Sequence, residues 1–348
     1  MRFWTCGLAG IAAAIGMSVA ASSGFAADDR PVIPLLPPPG GNAQDFPNFI
    51  KVRVGSETKS ADVLFDTGSI GLRVLKEYVG DDVEVTRERL TFVDLRDGTK
   101  LVGHIAYGKV SFPGSGGVKT PERIAFHLVE EVSCDRRFPD CRGWKKGQEG
   151  VMGAGFFGTR DEPVFSPLDQ LDKRLDYGFV VDAISEDPGV RLGEVNLNHF
   201  DNLKLKPARN TPPFPRHPSW NMWTAKVCFQ IDRGDKTCDM TIFDTGAADV
   251  RFWQSGARVK ADGTLTSGQR VSMVADGGFR LELNTGDRPW NNEFFIKQPA
   301  REQYGSNAGG QIFRRFVVAF DQYHGHIGFC KPDKRGLSAK VAEAKRCR

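Results

Sequence analysis

The 348-residue chain has six His and seven Cys, yet no H-E-x-x-H and no C-x-x-C that would space them to hold a metal. The chemistry expected of it uses no metal and no cofactor. No G-x-S-x-G turn presents a nucleophilic serine, and no glycine-rich loop ends in Gly-Lys-Ser/Thr to cradle phosphate. Charge of one sign is scarce as well: 47 Lys and Arg stand against 43 Asp and Glu, a formal net charge of +4. A nucleic-acid binder needs a concentrated basic face, which so small a surplus does not supply. Doublets such as Lys145-Lys146 and Arg314-Arg315 read as solvated faces. The apolar run Leu8 to Ala21 falls short of the ~20 residues a membrane-spanning helix needs. With 40% hydrophobic and 26% charged residues, disorder is excluded and a sizeable core is within reach.

What is present begins with an export signal. Arg2 precedes the apolar run, and Gly24-Phe25-Ala26 places small residues where a signal peptidase cuts. Cleavage after Ala26 leaves an exported protein, periplasmic or secreted, with no membrane anchor retained. It also removes Cys6 and leaves six cysteines, an even number suited to an oxidising compartment. Proximity suggests Cys134–Cys141, Cys228–Cys238 and Cys330–Cys347, with other pairings still open.

Residues 27–45, rich in Pro and Gly, read as an extended linker. From Phe46 short alternating strands take over: Phe49 to Val54, a turn at Gly55–Ser60, Ala61 to Phe65, then Leu90 to Val93 and Gly103 to Phe112. Helical signal is sparse, limited to Pro167–Leu171 and Phe313–Val317. The Pro-rich run Thr211–Pro218 reads as a loop between halves. The expected class is all-β.

Two tetrapeptides carry the chemistry: Asp66-Thr67-Gly68-Ser69 and Asp244-Thr245-Gly246-Ala247. Each follows an apolar strand, Val63-Leu64-Phe65 or Thr241-Ile242-Phe243. One D-T-G is an ordinary turn; two behind apolar strands form a pattern. Two carboxylates held close together cannot both ionise cheaply, so one serves as base while its partner serves as acid. A water between them can then attack a carbonyl without a metal or a covalent nucleophile.

The pattern resembles the pepsin-like aspartic proteases along nearly the whole chain after residue 26. Gly150-Val151-Met152-Gly153 is similar to the element that crosses beneath the first Asp turn. Trp220 to Phe243 is similar to the hairpin leading to the second, and Gly309 to Asp321 to the element closing the second lobe. The resemblance implies a bilobal fold, two six-stranded-type β lobes around a central cleft with few short helices. The lobes would span 46–205 and 206–348. Asp66 and Asp244 would be catalytic, with Gly68 and Gly246 permitting the tight turns. Thr67 and Thr245 would bond across to the opposite turn, and Gly153 and Gly310 would support the cleft. The partner implied is a peptide or protein substrate of a monomeric endopeptidase. The rivals are a silent member that binds peptide in the same cleft, and a single-lobe homodimer, which needs only one D-T-G per chain.

Four departures from the family pattern carry expectations. Ser69 puts a hydroxyl beside Asp66, whereas Ala247 offers Asp244 none, which predicts a less acidic optimum that Ala247→Ser would reverse. Tyr107-Gly108 has about the spacing of the family's flap tyrosine. The ends at Gly103 and Pro113-Gly114 favour a different register, with a tip over Asp94–Thr99 (Asp94, Asp97, Gly98) and no Tyr. Residues 27–48 leave no room for a basic pro-segment, which implies a protein either made active or controlled by other means. The second lobe is shorter than the first, and Ala308-Gly309 is a weak version of the family's apolar pair, which implies an opened cleft or a narrower substrate range.

Overall fold

The computed structural model describes residues 30–42, 45–56, 59–95, 97–156, 164–172, 174–208, 217–247, 249–252, 254, 257–261, 263–286, 294–296, 305–332 and 347. The expected signal segment, 1–26, lies outside them, as does most of the loop Thr211–Pro218. The chain is all-β, built around two curled sheets. The first half supplies an eight-stranded sheet and the second a seven-stranded one. Alternation drives both: Ala61, Val63 and Phe65 point inward and are buried, as are Val227, Phe229 and Ile231 in the second half.

The two halves share a six-stranded sheet. Its order is Val32–Pro34, Gly189–Leu192, Gly178–Asp182, Val317–Asp321, His326–Cys330, Asp201–Lys204, three strands from each half. Part of the linker 27–45 is an edge strand, with Ile33 and Leu35 buried. An edge strand tolerates Pro because its outward side donates to no neighbour. Asp201–Lys204 holds the matching place at the opposite edge and pairs with His326–Cys330. That strand thus joins the shared sheet on the side of Val317–Asp321 and His326–Cys330.

Among the described residues helix is confined to single turns. Pro167–Gln170 is a 3-10 turn that begins at Pro167, with the Ser166 hydroxyl accepting from the Leu168 N–H at 3.3 Å. Gly310–Phe313 is one α-helical turn. Phenylalanines fill the layer between the curled sheets and the shared one. Phe65, just before Asp66, meets the edge of Phe179 at 5.8 Å, and Phe243, just before Asp244, meets Phe329 at 4.7 Å. Phe179 stacks on Phe320 at 4.8 Å across the seam between halves. Each aspartate is thus preceded by a ring anchored in the shared sheet, and such pairs add about 1 kcal/mol beyond the area they bury.

Three disulfides close Cys134–Cys141, Cys228–Cys238 and Cys330–Cys347. Cys228 and Cys238 sit directly opposite on paired antiparallel strands. The bridges place the protein in an oxidising, exported environment. Among the described residues no helix is long and apolar enough to cross a membrane.

Candidate active site

Both Asp turns rise from the same local construction. Ala61–Asp66 runs parallel to Gly150–Ala154, with Asp66 opposite Gly153, and Ile70–Leu75 returns on the other side of that strand. In the second half Thr237–Phe243 runs parallel to Ser306–Ala308, with Phe243 opposite Ala308, and Val250–Phe252 returns antiparallel. A side chain on Gly153 would collide with the Ile70 backbone. The register puts Gly309 at the matching place, where a side chain would strike the carbonyl oxygens of Ala247 and Asp249. Gly310, expected in that part, lies one residue on. It opens the helical turn and donates its N–H to Ala247 O at 2.7 Å.

The two turns lock together through their threonines. Thr67 Oγ1 donates to Phe243 O at 2.7 Å and accepts from the Thr245 N–H at 3.0 Å. Reciprocally, Thr245 Oγ1 donates to Phe65 O at 2.6 Å and accepts from the Thr67 N–H at 3.0 Å. Both threonines are buried, so these four bonds act where water does not compete. Asn48 adds a fifth tie between the halves, donating Nδ2 to Thr245 O at 2.8 Å.

Each carboxylate then receives a matched pair of donors. The Gly68 N–H reaches Asp66 Oδ1 and the Gly246 N–H reaches Asp244 Oδ1, both at 2.8 Å. Ser69 Oγ donates to Asp66 Oδ2 at 2.6 Å, and Asn307 Nδ2 donates to Asp244 Oδ2, also at 2.6 Å. Gly68 packs against the Asp244 carboxylate and Gly246 against that of Asp66, so a methyl group on either would push the opposite acid away. Asp66 and Asp244 are 7% and 1% exposed. The result is two buried, hydrogen-bonded carboxyl groups brought together from opposite halves.

The other expected residues lie on a hairpin of the first half. The hairpin of Glu84–Val93 and Thr99–Gly108 turns at Asp94–Gly98. There Gly98 takes a positive φ of 83° and donates to Asp94 O at 2.8 Å, while Asp97 accepts from the Thr99 N–H at 2.7 Å. The turn leans on the Cys134–Cys141 loop, where Asp135 N–H donates to Gly98 O at 2.8 Å and Phe138 packs on Gly98. Tyr107 sits near the base of the hairpin, opposite Glu84, and is exposed. Beneath the first turn Arg73 is buried, donates to Ile70 O, and lies 3.9 Å from the centre of the Phe92 ring on the hairpin. Beside it, His127 is pushed down to about 3, first by burial and then by the Arg73 charge. Burial also raises the Asp169 carboxyl well above the ordinary range.

Asn307 and Asn48 escaped the sequence reading. Asn307 carried a faint signal, since it is polar where the first half has the apolar Val151. Asn48 carried none. Among the described residues no group of three or more His, Cys, Asp or Glu is placed to hold a metal ion. Comparison with protein-family models and with curated proteins finds no match to this chain.

Proposed function

We propose that the chain is an exported aspartic endopeptidase of the pepsin-like class, acting as a monomer on peptide or protein substrates after loss of residues 1–26. The observation that carries the reading is the reciprocal lock between Thr67 and Thr245. It holds two buried Asp turns face to face and gives each carboxylate one backbone and one side-chain donor. At a pH where the pair holds a single proton, the ionised acid takes a proton from a water between them, and that oxygen attacks the peptide carbonyl. The protonated partner gives its proton to the developing oxyanion. The carbon–nitrogen bond then breaks as the nitrogen takes a proton from the first acid and the partner takes back the hydroxyl proton of the collapsing gem-diol, so the pair again holds a single proton. Preorganisation is the protein's contribution, because the turn donors are already in place and need not reorient as charge moves.

The test is cleavage of an unfolded protein from pH 3 to 7, with and without a statine-type inhibitor, beside Asp66→Asn and Asp244→Asn. Inhibitor-sensitive cleavage that both substitutions abolish is the expected result. Absence of such cleavage at every pH would overturn the reading and leave a cleft that binds peptide without cutting it.

A further inference from the structure

The strands around the two aspartates pair in the same register, and two equivalent positions differ in their polar side chains. Val151 lies opposite Leu64 and Arg73, while Asn307 lies opposite Ile242 and Arg251. The turn residue three beyond each aspartate differs too, Ser69 in the first half and Ala247 in the second. The side-chain donor has therefore changed places. In the first half it hangs from the turn as Ser69 Oγ. In the second it rises from the strand beneath as Asn307 Nδ2, at the same 2.6 Å.

We infer that Asn307 is a positioning residue for Asp244, supplying from the underlying strand the donor that Ala247 lacks and holding that carboxyl group ready to ionise. The inference rests on the endopeptidase reading for its catalytic meaning, but the donor relation itself does not. An amide nitrogen can only donate, so this contact favours the ionised acid over the protonated one. Asn307 is 6% exposed, so its amide bonds to Asp244 in a site largely shielded from solvent. The expectation of a less acidic optimum, drawn from Ala247 alone, thereby loses its premise.

Other charges near Asp244 are occupied. Asp66 faces it from the opposite turn. Asp249 and Arg251, just beyond its own turn, pair at 2.9 Å. Asp239, on the strand leading to it, accepts the Ser306 hydroxyl at 2.8 Å. Past the helical turn, Arg315 donates to Gln311 and Arg314 lies over the Phe46 ring.

The test moves the donor rather than merely deleting it. Carboxyl resonances of 13C-labelled aspartate are titrated in the wild type, Asn307→Val, Ala247→Ser and the double variant. Activity against pH is recorded alongside, with thermal melting as a check of folding. Asn307→Val should raise one midpoint of the dyad by about one pH unit, move the acid limb of the activity profile with it, and lower kcat more than it raises KM. The double variant, with its hydroxyl in the mirror position of Ser69, should restore both. Ala247→Ser alone should move neither, because the outer oxygen already has its donor. Asn307→Leu, closer in size, replaces Asn307→Val should the latter fail to fold. Unchanged midpoints in a folded Asn307 variant would overturn the inference, as would an acid shift of a full unit in Ala247→Ser alone. Midpoints that respond in a protein showing no Asp-dependent cleavage would sink the endopeptidase reading and leave the donor role standing. Cleavage with unresponsive midpoints would do the reverse.

Discussion

A buried histidine sets the price of working in acid. His127 lies on Ile124–Cys134, opposite Arg73 on one side and Ile105 on the other, and is fully buried. Burial and the Arg73 guanidinium hold it down to about 3. Arg73 is itself held in place by Ile70 O and the Phe92 ring. An unfolded chain protonates this residue near the ordinary value of about 6.5, whereas the folded chain waits until about 3. Between those values the unfolded state binds more protons, so stability is lost as pH falls through the window. At about 1.36 kcal/mol per pH unit, the loss by pH 4.5 is about 2.7 kcal/mol. His127→Leu removes the titration and adds a packing offset that is the same at every pH. Urea unfolding of both proteins at pH 7.5 and 4.5 isolates the effect, since the offset cancels between the two conditions. The difference in unfolding free energy should swing toward the variant by about 2.7 kcal/mol on acidification. Parallel pH dependences, with a swing below about 0.5 kcal/mol, would refute the reasoning, since the ring would then be free to charge in place.

Three further expectations follow from the same structure. Asp169, raised well above its ordinary value by burial, makes the folded state hold a proton that the unfolded chain has released, so its contribution is fullest in acid and declines as pH climbs. Asp169→Asn should therefore raise Tm at pH 7 and leave it unchanged at pH 3, as read by calorimetry. Thr67→Val keeps the shape but strands the Thr245 N–H and Phe243 C=O in a buried site, so urea unfolding should show a loss of about 3 kcal/mol, with lower kcat in a cleavage assay. Replacing Cys134 and Cys141 by Ser opens a loop with a sequence separation of 7 and should cost about 2.5 kcal/mol. Because Asp135 anchors Gly98, amide exchange should also quicken across Asp94–Thr99, and unchanged exchange there would separate the hairpin from the loop.

The reach of the sequence depended on how local each feature is. A D-T-G turn is specified by three adjacent residues, so Asp66 and Asp244 could be picked out directly, as could the alternating strands that precede them. Cysteines close along the chain were matched by proximity alone. Asn307 was not legible, because its task arises only when Ser306–Ala308 lies beside Thr237–Phe243, and 63 residues separate it from Asp244. The place of Gly309 opposite the second turn has the same origin, since register is set by strand pairing rather than by the motif. Val32–Pro34 was hidden by its prolines, which say loop locally but are harmless on an outer strand. His127 sat among apolar neighbours in an alternating run, and nothing in that run revealed the arginine it would face.

The shared sheet has one more consequence. At its centre Gly178–Asp182 meets Val317–Asp321 antiparallel, with Phe179 opposite Phe320 and Val180 opposite Ala319. These are corresponding strands of the two halves, so the seam is an isologous contact within a single chain. Separating the halves would bare a buried strand on each, with the backbone donors and acceptors along that one edge unpaired. The geometry that satisfies such an edge is a second copy rotated by half a turn, because an antiparallel pair of like strands is its own mirror under a twofold axis. An excised half would thus carry instructions for dimerising, and that rotation would also bring two Asp turns together. Joining both halves in one chain removes the concentration dependence of that assembly and lets each side carry its own donor, Ser69 in one and Asn307 in the other.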